Sequence, residues 1–218
     1  MDEWIKEALR YLGVQSDPGG EVRGRLRVMA EELREKIAPR YALRVLDVCR
    51  EGDALTLGHA VRLPGNMARR MLQDCERAAL LVCTLGTRFD ARMRTEQARD
   101  MAGAVMLDAL GSALVEAGCD EAERELAARF PGLYLTDRFS PGYGDLPLSV
   151  QPDVIEATDA ARRLGVQVTE SCLINPQKTV TAVIGVADRP QPARVRGCAQ
   201  CSRQGACEYR KGGTTCEA

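Results

Sequence analysis

Apolar side chains recur at helical spacing in the first dozen residues, where Trp4, Ile5, Ala8, Leu9 and Leu12 fall on one face. The 16–20 stretch, Ser-Asp-Pro-Gly-Gly, interrupts that period, and a second helix is predicted from about Arg23 to Ala38, stopping before Pro39. Tyr41, Leu43, Val45 and Leu46 then give way to Glu51-Gly52-Asp53 and Ala54-Leu55-Thr56-Leu57, the pattern of two strands joined by a glycine-containing turn. Asn66 offers a cap for a helix over 67–74, and 78–85 is a short continuous apolar run of the kind that forms a strand buried on both faces. The longest helical signal spans 89–117, with Met93, Ala98, Met101, Val105, Leu110 and Leu114 inward. Its many small residues, Ala102 to Ala104 and Gly111 to Ala113 among them, suit close packing against another element. A further helix is predicted over 120–129, a strand over 133–139, and a helix from Pro152 to Leu164 that stops at Gly165. Two last strands, 166–174 and 179–186, are joined by the turn sequence Asn175-Pro-Gln-Lys178. This is an α+β chain: a helical segment over 1–38, a mainly antiparallel sheet with flanking helices over 39–187, and a cysteine-rich tail over 188–218.

Composition adds compartment and class. With 218 residues, 45% hydrophobic and 4% aromatic, the chain can build a core without disulfide staples. No apolar run approaches the roughly 18 residues of a membrane span, and the acidic helical start is unlike a signal peptide, so a cytoplasmic protein with no membrane partner is expected. A formal net charge of -1 advertises no nucleic-acid partner.

Thiols stay reduced in that compartment, so clustered cysteines point to metal or redox chemistry. The tail places Cys198, Cys201, Cys207 and Cys216 at Cys-x2-Cys-x5-Cys-x8-Cys spacing in a segment with little else to bury. Four thiolates of this kind hold either an iron-sulfur cluster or structural zinc. Arg189, Arg194, Arg196, Arg203, Arg210 and Lys211 against the single Glu208 would offset the negative charge of such a centre, or form a solvated basic linker. Cys49, Cys75, Cys83, Cys119 and Cys172 sit in apolar or helical contexts and read as small hydrophobes, and His59 as a turn or strand-end residue.

A second chemical signal lies in the loop Arg138-Phe-Ser-Pro-Gly-Tyr-Gly-Asp-Leu-Pro147. Pro141 and Pro147 stiffen it, Gly142 and Gly144 allow a ligand to approach the backbone, Arg138 offers a fork for a carboxylate, and Tyr143 offers a ring with a polar tip. Together they could hold a zwitterionic, amino-acid-like ligand; the alternative is a structural loop with a surface arginine. Glu170, in Thr169-Glu-Ser-Cys172 at a strand end, could meet a ligand ammonium or sulfonium, or simply be a capped or salt-bridged strand end.

Arg138-x-Ser-Pro-Gly-Tyr-Gly-Asp, the later Val-Thr-Glu-Ser-Cys-Leu-Ile-Asn-Pro and the helix containing Leu107-Asp-Ala-Leu-Gly-Ser-Ala113 resemble the reactivation domain of cobalamin-dependent methionine synthase, over roughly residues 40–187. The resemblance implies a twisted antiparallel sheet and an S-adenosylmethionine site in which Arg138 meets the methionine carboxylate, Tyr143 lines the pocket, the backbone from Pro141 through Gly142 to Gly144 meets the adenosyl part, and Glu170 contributes from the Thr-Glu-Ser element. The family's Cys-Pro-Asp after the tyrosine is replaced by Gly144-Asp-Leu-Pro147, and no Asp-x-His-x-x-Gly cobalamin motif is present. The implied role is therefore that of a methyltransferase subunit that visits a corrinoid carried by a partner protein and supports its reductive methylation. That redox task puts an iron-sulfur cluster ahead of zinc in the tail. The competing expectation is a zinc-stabilised docking or regulatory module without catalysis of its own.

Overall fold

The computed structural model describes residues 2–14, 17–51 and 54–192. Two helices, α1 (Asp2–Tyr11) and α2 (Gly20–Lys36), precede the strands β1 (Arg40–Glu51), β2 (Ala54–Leu57) and β3 (Val61–Arg62). Helix α3 (Asn66–Leu72) leads into β4 (Cys75–Thr84), followed by α4 (Thr87–Arg99) and the long α5 (Met101–Arg129). The chain continues through β5 (Tyr134–Leu135), a single 3-10 turn at Leu148–Val150, α6 (Gln151–Ala157), α7 (Ala160–Leu164), the strands β6 (Gln167–Val168) and β7 (Ile174–Asn175), and β8 (Thr179–Ala187). Six strands form one sheet in the order β3-β2-β1-β4-β8-β5 with every pairing antiparallel, and β6 and β7 pair only with each other.

The continuous apolar run in β4 is explained by burial on both faces. Alternate residues Ala79, Leu81 and Cys83 join Phe89, Leu107, Leu110 and Leu114 in a core under α5, which also takes Ile5, Ala8, Leu26 and Leu33 from α1 and α2. Ala78, Leu80 and Val82 point the other way, into a second core with Met71, Leu72, Val154, Ile155 and Leu164 from α3, α6 and α7. The small residues of α5 allow its close approach: a β-carbon on Gly111 would lie 2.2 Å from Phe89 Cζ, and one on Gly118 only 2.5 Å from Pro39 Cβ.

Several elements differ from expectation. The predicted helix over 89–117 is two helices, because Asp100 adopts an extended backbone (φ -154°, ψ 103°) while its carboxylate pairs with Arg25 of α2. The predicted stop near 118 is absent, since Gly118 packs inward instead of capping, and α5 runs unbroken for 29 residues. By length and composition α5 could cross a membrane, yet 61% of that stretch is buried inside the fold. The helix predicted from Pro152 splits where Asp159 enters the left-handed region (φ 54°) and the Thr158 hydroxyl donates to the Val154 carbonyl at 2.8 Å. Asn66 does not cap α3 with its side chain; the Asp145 carboxylate does so from the distant loop, accepting from the Asn66 and Met67 amides at 2.6 and 2.8 Å.

Two corrections bear on function. The predicted strand over 133–139 narrows to β5 plus a bridge from Phe139 to Val183, so β5 covers only Val186 and Ala187 of β8. The predicted strand over 166–174 is instead the β6–β7 hairpin, whose polar turn carries Glu170, and it does not pair with β8. Consequently the first half of β8 has β4 on one side and an open edge on the other.

Candidate functional site

A cavity of about 380 Å³ sits at that open edge, within the range of small-molecule sites. Thr179, Val180 and Thr181 of β8 form its floor. The Val183 amide and carbonyl both bond to Phe139, away from β4, so ladder alternation turns the backbone groups of Thr181 to the same open side. Val180 packs with the α5 core. Gln151, at the start of α6, approaches from the opposite sheet face, and Tyr11, Glu116, Arg138 and Ile174 complete the wall with Ser140, Pro141 and Tyr143 of the loop.

The loop is held from within and from without. Tyr143 donates its amide to the Ser140 carbonyl at 3.0 Å, Gly142 to the Leu146 carbonyl at 2.7 Å, and Leu146 to the Tyr143 carbonyl at 3.0 Å. Phe139 and Leu146 are fully buried anchors. Asp145 fastens the loop to the start of α3 through the two amides it accepts, and those same hydrogen bonds hold its carboxyl below the usual carboxylate range. Gly142 (φ 97°) and Gly144 (φ 56°) supply the left-handed turns that present the half-exposed Tyr143 ring at the rim.

Arg138 is not a surface arginine. Its side chain is 9% exposed and pairs with Glu116, Asp120 and Glu123, three acids on successive turns of α5. Asp120 accepts from Nη1 at 2.7 Å, Glu123 shares that nitrogen, and Glu116 accepts from Nη2, so none of the three engages Nε. Burial alone would weaken the guanidinium's hold on its proton, but the hydrogen bond and charge of Glu123, with Asp120 and Glu116, outweigh it and raise the pKa. One cation among three carboxylates leaves this end of the cavity negative. Tyr11 responds in kind: burial, then the Glu116 charge, pushes its phenol pKa up.

Of the residues singled out from the sequence, Arg138, Pro141 and Tyr143 line this cavity. Gly142 and Gly144 shape the loop without lining it, and Glu170 is exposed on the β6–β7 turn, outside the lining. Cys198, Cys201, Cys207 and Cys216 lie outside the described residues. Among the described residues no group of three or more His, Cys, Asp or Glu side chains is placed to hold a metal ion. Of the other cysteines, Cys75, Cys83 and Cys119 are buried, Cys49 and Cys172 partly so, and His59 occupies a turn with φ 58°. The motif reading missed Tyr11, Glu116, Gln151 and Thr181, which reach the cavity from elements far apart in the chain. For Gln151 a signal existed, a neutral polar residue immediately after the apolar Val150 at a helix start.

A slightly larger cavity, about 450 Å³, lies between α2, α4 and α5, lined by Leu33, Ile37 and Leu107 with Glu32, Arg88 and Arg92. It lacks the converging loop and strand edge of the first.

No protein-family model matches the chain, and no curated protein matches it by sequence. Among solved structures, the crystal structure of the MetH reactivation domain bound to AdoHcy superposes with a TM-score of 0.63, covering 94% of this chain and 77% of that chain at 16% identity. The chain shares the fold of that reactivation domain. The resemblance drawn from the Arg138–Tyr143 loop and the Thr-Glu-Ser element thus extends to the architecture of nearly the whole described chain.

Proposed function

We propose that the chain binds S-adenosylmethionine at the β8 edge and serves as the activation subunit for a corrinoid methyltransferase, a cobalamin-dependent methionine synthase or a relative. The observation that carries this reading is the cavity beneath the Arg138–Tyr143 loop, in a fold shared with a domain whose crystal structure contains AdoHcy. When bound, S-adenosylmethionine supplies an electrophilic methyl group on a sulfonium. The residues around it do the positioning. The Nε edge of Arg138 is left for a carboxylate, Glu116 faces the cavity as a partner for an ammonium, and Tyr143 covers the mouth. The surplus negative charge of Glu116, Asp120 and Glu123 favours a cationic donor over its neutral product. With one electron from an external reductant, the partner's Co(II) corrinoid would become a Co(I) nucleophile whose electron pair attacks the methyl carbon while the carbon–sulfur bond breaks and releases AdoHcy.

The four-cysteine spacing of the tail supports a bound metal in this reading, with an iron-sulfur cluster as electron relay and structural zinc as the other assignment. The visible absorption of anaerobically purified chain separates them, since only the cluster is coloured.

Isothermal titration with S-adenosylmethionine tests the central claim. Binding is expected, and Tyr143→Ala should weaken it about tenfold by removing the ring at the mouth. Absence of any heat or thermal shift with either S-adenosylmethionine or AdoHcy would overturn the ligand assignment.

A further inference from the structure

The two ends of the β8-edge cavity differ in chemistry. On the α5 side stand Arg138 and Glu116, backed by Asp120 and Glu123. On the α6 side the polar group is Gln151, a neutral amide only 8% exposed. Its Oε1 is completely buried and has no hydrogen-bond partner among the described residues. A buried carbonyl oxygen without a donor is costly, so such atoms are rare unless a ligand or water completes them. Gln151 borders the cavity, and rotation about its broad terminal torsion would exchange the two ends of the amide and present Oε1 to a ligand there.

Resting on the S-adenosyl reading above, we propose that Gln151 selects the base: its side-chain carbonyl accepts a hydrogen bond from the exocyclic amine of the adenine. Electrostatics fixes the direction of the ligand. An ammonium set against Gln151 would be a desolvated charge with no counter-charge, whereas Glu116 offers one at the other end. The zwitterionic tail therefore lies toward α5 and the neutral purine toward α6. Between them, the Thr181 amide and carbonyl on the open strand edge present a donor and an acceptor in the plane that a flat base needs.

The test compares AdoHcy with its 6-deaminated purine (nebularine-type) analogue, in which the exocyclic amine is replaced by a hydrogen that neither donates nor accepts. Wild-type chain is expected to bind the deaminated analogue about tenfold more weakly, because the buried Gln151 oxygen is then left without a donor. Gln151→Met removes the acceptor at similar size, so AdoHcy should bind about tenfold more weakly and the preference between the two ligands should fall to within about twofold. Gln151→Glu keeps an acceptor oxygen and should keep the preference. Equal affinity of the wild type for both ligands overturns the proposal, even if Gln151→Met fails to fold. So does a Gln151→Met variant that retains the wild-type preference. Binding of AdoHcy without that preference leaves the ligand class standing and defeats only the role of Gln151, whereas no binding of AdoHcy defeats both.

Discussion

Arg138 and Glu116 lie 22 positions apart, yet they meet at one wall of the cavity. The arginine and Tyr143 were legible in the sequence because one local loop carries both, with glycines and prolines announcing its shape. Glu116 was not, because on α5 it reads as an ordinary acid of a helix surface until the fold brings Arg138 against it. Its consequence is electrostatic: S-adenosylmethionine carries one more positive charge than AdoHcy and should gain more from the acidic wall. Glu116→Gln is expected to weaken S-adenosylmethionine about three- to tenfold while changing AdoHcy less, a modest effect because Glu116 is 36% exposed. Titrations of both ligands check it, and equal losses would show that Glu116 acts on the ammonium the two ligands share and not on the sulfonium.

The period of apolar residues located most helices, and the short continuous apolar run fits β4, a strand buried on both faces. It failed where a local backbone choice overrides the period. Asp100 breaks one predicted helix, Asp159 another, and Gly118 does not break α5 because its missing β-carbon is used for packing. The predicted strand over 166–174 is a hairpin of two short strands, β6 and β7, because alternation locates extended backbone but neither its turn nor its partner. Asp145 joins two such elements. Backbone donors lower its pKa in the folded chain, so its stabilising effect is present above the unfolded value of about 4 and is lost as pH falls through the lower folded value. Asp145→Ala should therefore lower the melting temperature at pH 7, and the gap to wild type should narrow as the pH drops below about 4. Thermal unfolding followed by circular dichroism at a series of pH values measures this; a gap that stays constant would show that the charge on Asp145 plays no part.

Two cores, one on each face of a single sheet, organise the molecule, and the cavity lies where that sheet leaves a strand half uncovered. Its walls come from α1, α5, α6, β7, β8 and the 138–147 loop, so it exists only when both cores are in place. That is why sequence patterns could indicate the α+β class and the loop but not the set of residues that close around a ligand: the set is a property of strand order. The antiparallel sheet and flanking helices are as expected, while α1 and α2 contribute to the same core as α5 and β4.

The uncovered half of β8 should also leave a signature in hydrogen–deuterium exchange. The amides of Val180 and Ala182 face β4 and should exchange slowly, whereas that of the buried Thr181 faces the cavity without a ladder partner and should exchange faster than its two neighbours in the free chain. A molecule seated along the edge would silence that one amide while leaving its two neighbours as they were, making Thr181 a single-residue reporter of occupancy.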